Sequence, residues 1–183
     1  MEKTFIRSKK TFRWKGTCRM KVLVFNKLAF NKFMEYNAIT DDNVETKDVM
    51  FISINNPCDP GMFMSRNDVY SYFKRQHSNV MIMHFPDFGE TMIQNYIEMG
   101  VNPCRVFNQY KAKKLYEFIK RNKDKSLAVL HCGAGISRSG AVGTFIFDLY
   151  GDVSYEEFKR KNPRIMPNSH ILKLLRAELN KDK

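Results

Sequence analysis

His131-Cys132-Gly133-Ala134-Gly135-Ile136-Ser137-Arg138-Ser139-Gly140 lies between two apolar stretches of the 183-residue chain. Leu127-Ala128-Val129-Leu130, just before it, reads as a buried strand, and Ala141 to Leu149, just after it, is long enough for a buried helix. A glycine-bearing loop that leaves a strand and opens a helix gathers backbone N–H groups around one point, and the helix dipole adds positive potential there. Such a loop suits an anion, most naturally a phosphate, with Gly133, Ala134, Gly135, Ile136, Ser137 and Arg138 as its cradle. Gly133 and Gly135 read as places for positive φ or close backbone approach. Cys132 stands at the loop's entrance, where N–H groups and Arg138 favour a thiolate near neutral pH. Arg138 brings a planar fork of donors matched to two phosphate oxygens. A thiolate beneath a cradled phosphorus atom implies nucleophilic phosphoryl transfer to sulfur.

The spacing C-x5-R alone is a weak signal, and the residues around it give it weight. His131 precedes the cysteine, two glycines lie inside the loop, Ser139 follows the arginine, and a strand and a helix flank the whole. With these in view the segment resembles the signature loop of the cysteine-based protein tyrosine phosphatases, His-Cys-x5-Arg-Ser/Thr. The resemblance implies a nucleophilic Cys132, a phosphate-binding Arg138, and a Ser139 that donates to the sulfur and helps it leave. His131 would fix the loop through hydrogen bonds rather than transfer protons. Neither a cofactor nor a metal is implied. The bland alternative is a buried structural cysteine in a tight strand-to-helix turn.

Cleaving a phosphate monoester requires a proton for the departing oxygen, and a carboxylic acid is the natural source. Phe85-Pro86-Asp87 resembles the Trp-Pro-Asp loop of the same family, with Phe in place of Trp, which makes Asp87 the general acid. Its distance in sequence from Cys132 is longer than the resemblance leads one to expect and implies an insertion around residues 91–106. Asp59, on a Pro-flanked loop after another strand, is the alternative acid. Pro167-Asn168, ahead of an apolar helix, resembles the Pro-Asn element of dual-specificity phosphatases and equally reads as a helix N-cap.

The chain's size and its 43% hydrophobic content fit one domain with a sizeable core, here residues 20–183. The net charge is +12, and residues 1–19 carry seven Lys/Arg against Glu2 alone. This basic arm reads as a solvated segment with at most a loose attraction for nucleic acid or an acidic surface. No stretch has the length and apolarity of a membrane-spanning helix, and no cleavable leader is evident, so a soluble cytoplasmic protein is expected. Cys18, Cys58, Cys104 and Cys132 show neither disulfide nor zinc spacing.

Further strands are expected at Lys21–Phe25, Val49–Ile54 and Val80–Phe85. Leu28–Tyr36 reads as a short helix or loop. Ser65-Arg66-Asn67-Asp68 has capping-box form and opens a helix carrying Val69, Tyr70, Tyr72 and Phe73. A short helix fits residues 91–99. Phe107, Tyr110, Leu115, Phe118 and Ile119 share one face of the next helix, and the lysines between Lys111 and Lys125 read as its solvated face. Ser154-Tyr155-Glu156-Glu157 is a second capping box, and Ile171, Leu172, Leu175 and Leu179 stripe the last helix. His77, His84 and His170 have no ligand-like companions and read as structural. Strands alternating with helices predict an α/β fold with a central, mainly parallel sheet flanked by helices, protein tyrosine phosphatase-like.

The resemblance points to the small dual-specificity branch, because tyrosine-specific domains are longer and carry a phosphotyrosine-recognition loop with no legible counterpart here. Gly133 and Ile136, where lysines would stand, speak against a phosphoinositide substrate. The expected function is a metal-independent phosphatase of phosphotyrosine proteins, with phosphoserine/threonine left open. The alternatives are an RNA 5′-phosphatase, which the positive charge suggests but the loop lacks the His-Cys-Thr-His-Gly pattern for, and a phosphopeptide-binding module, which would not need both Cys132 and Arg138. A rhodanese-like domain would have no use for Asp87.

Overall fold

Four apolar runs pair side by side in the computed structural model, which describes residues 19–57, 71–100 and 102–182. They are β1 (Lys21–Asn26), β2 (Val49–Asn55), β3 (Val80–His84) and β4 (Leu127–Cys132), all parallel in the order β1-β4-β2-β3. The helices are α1 (Lys27–Tyr36), α2 (Glu90–Glu98), α3 (Gln109–Arg121), α4 (Arg138–Tyr150), α5 (Tyr155–Lys161) and α6 (Ser169–Lys181). The central β4 is buried along nearly its whole length, as its unbroken apolar run requires when both faces are covered.

Alternation along the strands sorts their side chains onto two faces. Ala128, Leu130 and Cys132 join Met50, Ile52 and Ile54 in a core completed by α3, α4, α5 and α6. Val129 and Phe51 face the other way, against Phe30 and Met34 of α1 and against Phe73 and Val80. The ring of Phe30 meets Phe51 and Phe73 edge-on or tilted, at centroid separations of 6.4 and 6.5 Å. Each such fully buried side chain contributes about 1.5–3 kcal/mol through removal from water. Neighbouring strands β1 and β4 thus send their helices to opposite faces. That divergence opens a crevice at the carboxyl ends of the strands, the usual ligand position in open α/β sheets. Helix α4 can lie this close to the sheet because Gly143 has no Cβ; one placed there would stand 2.7 Å from Val24 Cγ2.

β1 is an edge strand, and Asn162 at the end of α5 closes it. The Asn162 side chain accepts from Val24 N at 2.7 Å and donates to Val22 O at 3.1 Å, completing the ladder on the side where the described residues supply no further strand. Asn162 is 2% exposed, so water cannot replace it. Asn162→Leu should therefore destabilise the fold by roughly 1–3 kcal/mol for each backbone group left unpaired. Denaturant unfolding checks this, and a loss under about 0.5 kcal/mol would show that the edge finds other partners.

Several expectations are corrected. Residues 65–70 of the proposed helix lie outside the described residues, and Tyr72 and Phe73 sit in a bend rather than a helix, although Phe73 is buried. Tyr110 is 65% exposed, with Lys114 Nζ 4.7 Å from its ring centroid. It falls in the first turn of α3, rotated away from the stripe of Leu115, Phe118 and Ile119, and Phe107 reaches the core from before the helix. Lys111 is not simply solvated: its Nζ donates to the carbonyls of Cys104, Arg105 and Val106, and burial lowers its pKa. Ser154 caps α5 by accepting from Glu157 N, but Glu157 turns to Lys161 instead of completing a capping box. The segment around 91–106 holds α2 and a 3-10 turn at Pro103–Arg105. The basic arm lies outside the described residues, apart from Arg19. Among the described residues no helix is long and apolar enough to cross a membrane.

Candidate active site

Because all four strands run the same way, Asn26, Cys132, Asn55 and His84 end on one rim of the sheet. The loop from β4 to α4 starts there and rests on the β1–α1 junction. Lys27 N donates to Gly133 O at 3.2 Å. Gly135 has φ +69°, and a Cβ on it would stand 2.4 Å from Asn26 N. Only glycine satisfies both the left-handed backbone and that contact. Gly133, by contrast, takes no left-handed conformation, and an added Cβ would meet only Arg138 Nη2, at 3.7 Å.

Cys132 is 2% exposed at the end of β4. Burial alone would oppose a thiolate. Against it act the Ser139 hydroxyl, whose Oγ lies 3.1 Å from Cys132 Sγ, the N–H groups of Ser139 and Ile136, and the charge of Arg138. The balance holds the Cys132 pKa below the ordinary thiol value.

Arg138 opens α4 and is 6% exposed. Its Nη1 donates to Phe85 O at 2.8 Å and Asn55 O at 3.3 Å, so the carbonyls ending β2 and β3 fix one edge of the guanidinium. Its Nε has no partner among the described residues, although it is buried. A buried N–H of a permanent cation left unpaired costs free energy unless a ligand oxygen meets it. Ser137 occupies the N-cap position of α4 without capping it, so its side chain does not compete for the first N–H groups of that helix.

The Ser137 hydroxyl instead donates to Asp87 Oδ1 at 2.8 Å, and Asn168 Nδ2 donates to the same oxygen at 2.9 Å. The Phe85-Pro86-Asp87 turn thus lies over the signature loop: Phe85 is fully buried against Phe107, and Asp87 is exposed. Asp59 lies outside the described residues, as do Cys18 and Cys58. Asn168 does cap α6, accepting from Ile171 N at 3.1 Å.

His131 points to the opposite face of the sheet from Cys132. Its Nε2 lies 2.6 Å from Ser53 Oγ, which in turn lies 3.0 Å from Ser71 Oγ, and its ring centroid lies 4.2 Å from that of Phe30, the two planes tilted by 40°. Burial, with the charges of Lys27 and Arg138, pushes its pKa down to about 3, so it is neutral at physiological pH. Sequence reasoning missed Ser53, Asn55, Ser71 and Lys27. Asn55 accepts from Lys27 Nζ at 3.2 Å and donates to Ser53 Oγ at 3.2 Å. A signal existed for two of these: Ser53 and Asn55 are polar at alternate positions of an otherwise apolar strand, where a buried polar group needs a partner. His77 pairs with Asp41, and His170 with Phe107 O, away from this site. Among the described residues no cluster of three or more His, Cys, Asp or Glu is arranged to hold a metal ion.

No family model and no curated protein matches the sequence. Among solved structures the chain is similar to PTP phosphatases. It is similar to the PTP-2 phosphatase of Cydia pomonella, at a TM-score of 0.42 and 16% identity over 87% of this chain and 86% of that one. It is also similar to Tk-PTP in its active form, at a TM-score of 0.39 and 15% identity over 92% of this chain and 99% of that one.

Proposed function

We propose that the chain is a phosphoprotein phosphatase of the small dual-specificity kind, acting on phosphotyrosine through a phosphocysteine intermediate. One observation carries the reading: the buried Nε of Arg138, without a partner among the described residues, beside a cysteine whose surroundings favour the thiolate. Together with Nη2 it forms the guanidinium edge not held by Phe85 O and Asn55 O, and that edge matches two oxygens of one phosphate.

In the first step the Cys132 thiolate attacks phosphorus, the P–S bond forms, and the P–O bond to the leaving group breaks. Asp87 gives its proton to the departing oxygen. In the second step water attacks phosphorus, the P–S bond breaks, and the Asp87 carboxylate takes the water's proton. The Ser139 hydroxyl, already on the sulfur, favours its departure as thiolate. Positive charge for the phosphoryl oxygens comes from Arg138 and the loop N–H groups, so the mechanism calls on no metal.

Turnover of a chromogenic aryl phosphate with EDTA present, beside an RNA 5′-triphosphate, tests the proposal. The aryl phosphate should be hydrolysed at an undiminished rate with the chelator, and phosphotyrosine peptide likewise. Activity confined to the RNA end would favour the RNA 5′-phosphatase reading, and none on any of them would leave a phosphopeptide-binding module.

A further inference from the structure

Asn168 ties together three separate pieces of the site. Its Nδ2 donates to Asp87 Oδ1 at 2.9 Å and to Phe88 O at 3.1 Å, both on the turn after β3. Its Oδ1 accepts from Ile171 N at 3.1 Å and caps α6, and its own N–H donates to Ser137 O of the signature loop at 3.2 Å. Helix α6 is anchored in the core by Ile171 and Leu175, at 1% and 0% exposure. The exposed turn bearing Asp87, already held to α4 through Ser137 and Arg138, is tied to α6 by the Asn168 amide.

We propose that Asn168 is a positioning residue for the proton-transfer steps, holding Asp87 over the cradle and selecting which of its oxygens carries the proton. This rests on the reading of Asp87 as the general acid. The Asn168 nitrogen can only donate, and with the Ser137 hydroxyl it puts two donors on Oδ1. A proton on Oδ1 would displace those bonds, so it resides on Oδ2, which accepts from no other group among the described residues. Oδ2 is the oxygen that gives its proton to the leaving group and later takes one from water. Without the amide, Asp87 keeps its chemistry but is held by Ser137 alone, and a less well placed acid is a weaker one.

The test separates positioning from helix capping. Asn168→Ser retains a good N-cap residue, so α6 should survive, but its shorter side chain cannot reach Asp87. The kcat/KM for phenyl phosphate, which reports the step in which the leaving group departs and needs a proton, should fall about 10–100-fold, part of the effect of a positioned acid. The kcat/KM for p-nitrophenyl phosphate, whose leaving group departs readily as an anion, should fall less than about threefold, with inhibition by inorganic phosphate and the thermal midpoint little changed. Asn168→Asp, an equally good cap without the donor, should show the same selective loss. In an Asp87→Asn background Asn168→Ser should cost nothing further. Equal losses of kcat/KM on both substrates, no loss on either, or a full additional loss in that background would overturn the inference. If Asp87→Asn itself shows no dependence on the leaving group, the acid assignment falls and the positioning role falls with it. If Asp87→Asn shows that dependence and Asn168→Ser does not, only the positioning role falls.

Discussion

Cys132→Ser should lower turnover of an aryl phosphate by roughly 10⁵-fold or more, the scale on which loss of a covalent nucleophile is felt. The hydroxyl that replaces the thiol stays protonated at neutral pH, and no base among the described residues on this face of the sheet is hydrogen-bonded to that position. His131 is the adjacent residue, yet strand alternation turns it to the opposite face, where its Nε2 meets Ser53 Oγ and burial keeps it neutral. Asp87 lies across the loop, tied to Ser137 and Asn168. Meanwhile the cradle is built from backbone and Arg138, and Arg138 is fixed by Phe85 and Asn55 rather than by the sulfur. The variant should therefore still bind a phosphotyrosine peptide, with affinity measurable by calorimetry and complexes that no longer turn over. Residual activity within about tenfold of the parent would sink the cysteine mechanism.

The fold was legible in the sequence wherever a hydrophobic period ran uninterrupted. The four strands and the helix after the signature loop needed only local pattern, because a strand buried on both faces has nothing polar to disguise it. Tyr110 was misplaced because helical periodicity was extended backward from Leu115 through a residue that begins α3. Phe107 belongs to the extended approach to that helix, so the two aromatics do not share its phase. Nothing local could reveal that Lys111 would be drawn onto the carbonyls of the 3-10 turn at Pro103–Arg105, since that contact depends on how the chain approaches α3.

Of the candidate site, the part made of one contiguous loop could be read directly. Gly135 is where it is because the loop doubles back against Asn26, a contact more than a hundred residues away in sequence, yet the glycine itself marks the need. What could not be read is the set of groups that meet the loop from elsewhere. Asn168 looked like a helix cap and is one, but a capping amide has a spare donor end, and only tertiary structure shows that it points at Asp87. Ser53 and Asn55 carried a faint signal as polar residues in an apolar strand, whereas Lys27 carried none.

Arg138→Lys should be nearly as damaging as Arg138→Ala, although it keeps the charge. Loss of an arginine that stabilises phosphoryl-transfer charge costs about 10³–10⁵-fold, and the lysine should recover only a small part of that. Two separate losses explain why. A guanidinium presents two parallel N–H bonds to one phosphate, and an ammonium, a point charge on a flexible stem, cannot reproduce the fork. The opposite edge of the same guanidinium holds Phe85 O and Asn55 O, the ends of β3 and β2. Lysine cannot serve both edges at once: turned toward the carbonyls it abandons the phosphate, and turned toward the phosphate it leaves the buried Phe85 carbonyl without its donor, while Asn55 O keeps only Phe85 N. Since Phe85 begins the turn that carries Asp87, the second choice also loosens the acid. The variant should thus show weaker inhibition by inorganic phosphate and, in addition, a loss of turnover that grows as the leaving group becomes more basic. Near-normal kinetics in a variant with an unchanged thermal midpoint would show that Arg138 is a structural tie between β2, β3 and α4, and that the phosphate is held by the loop N–H groups alone.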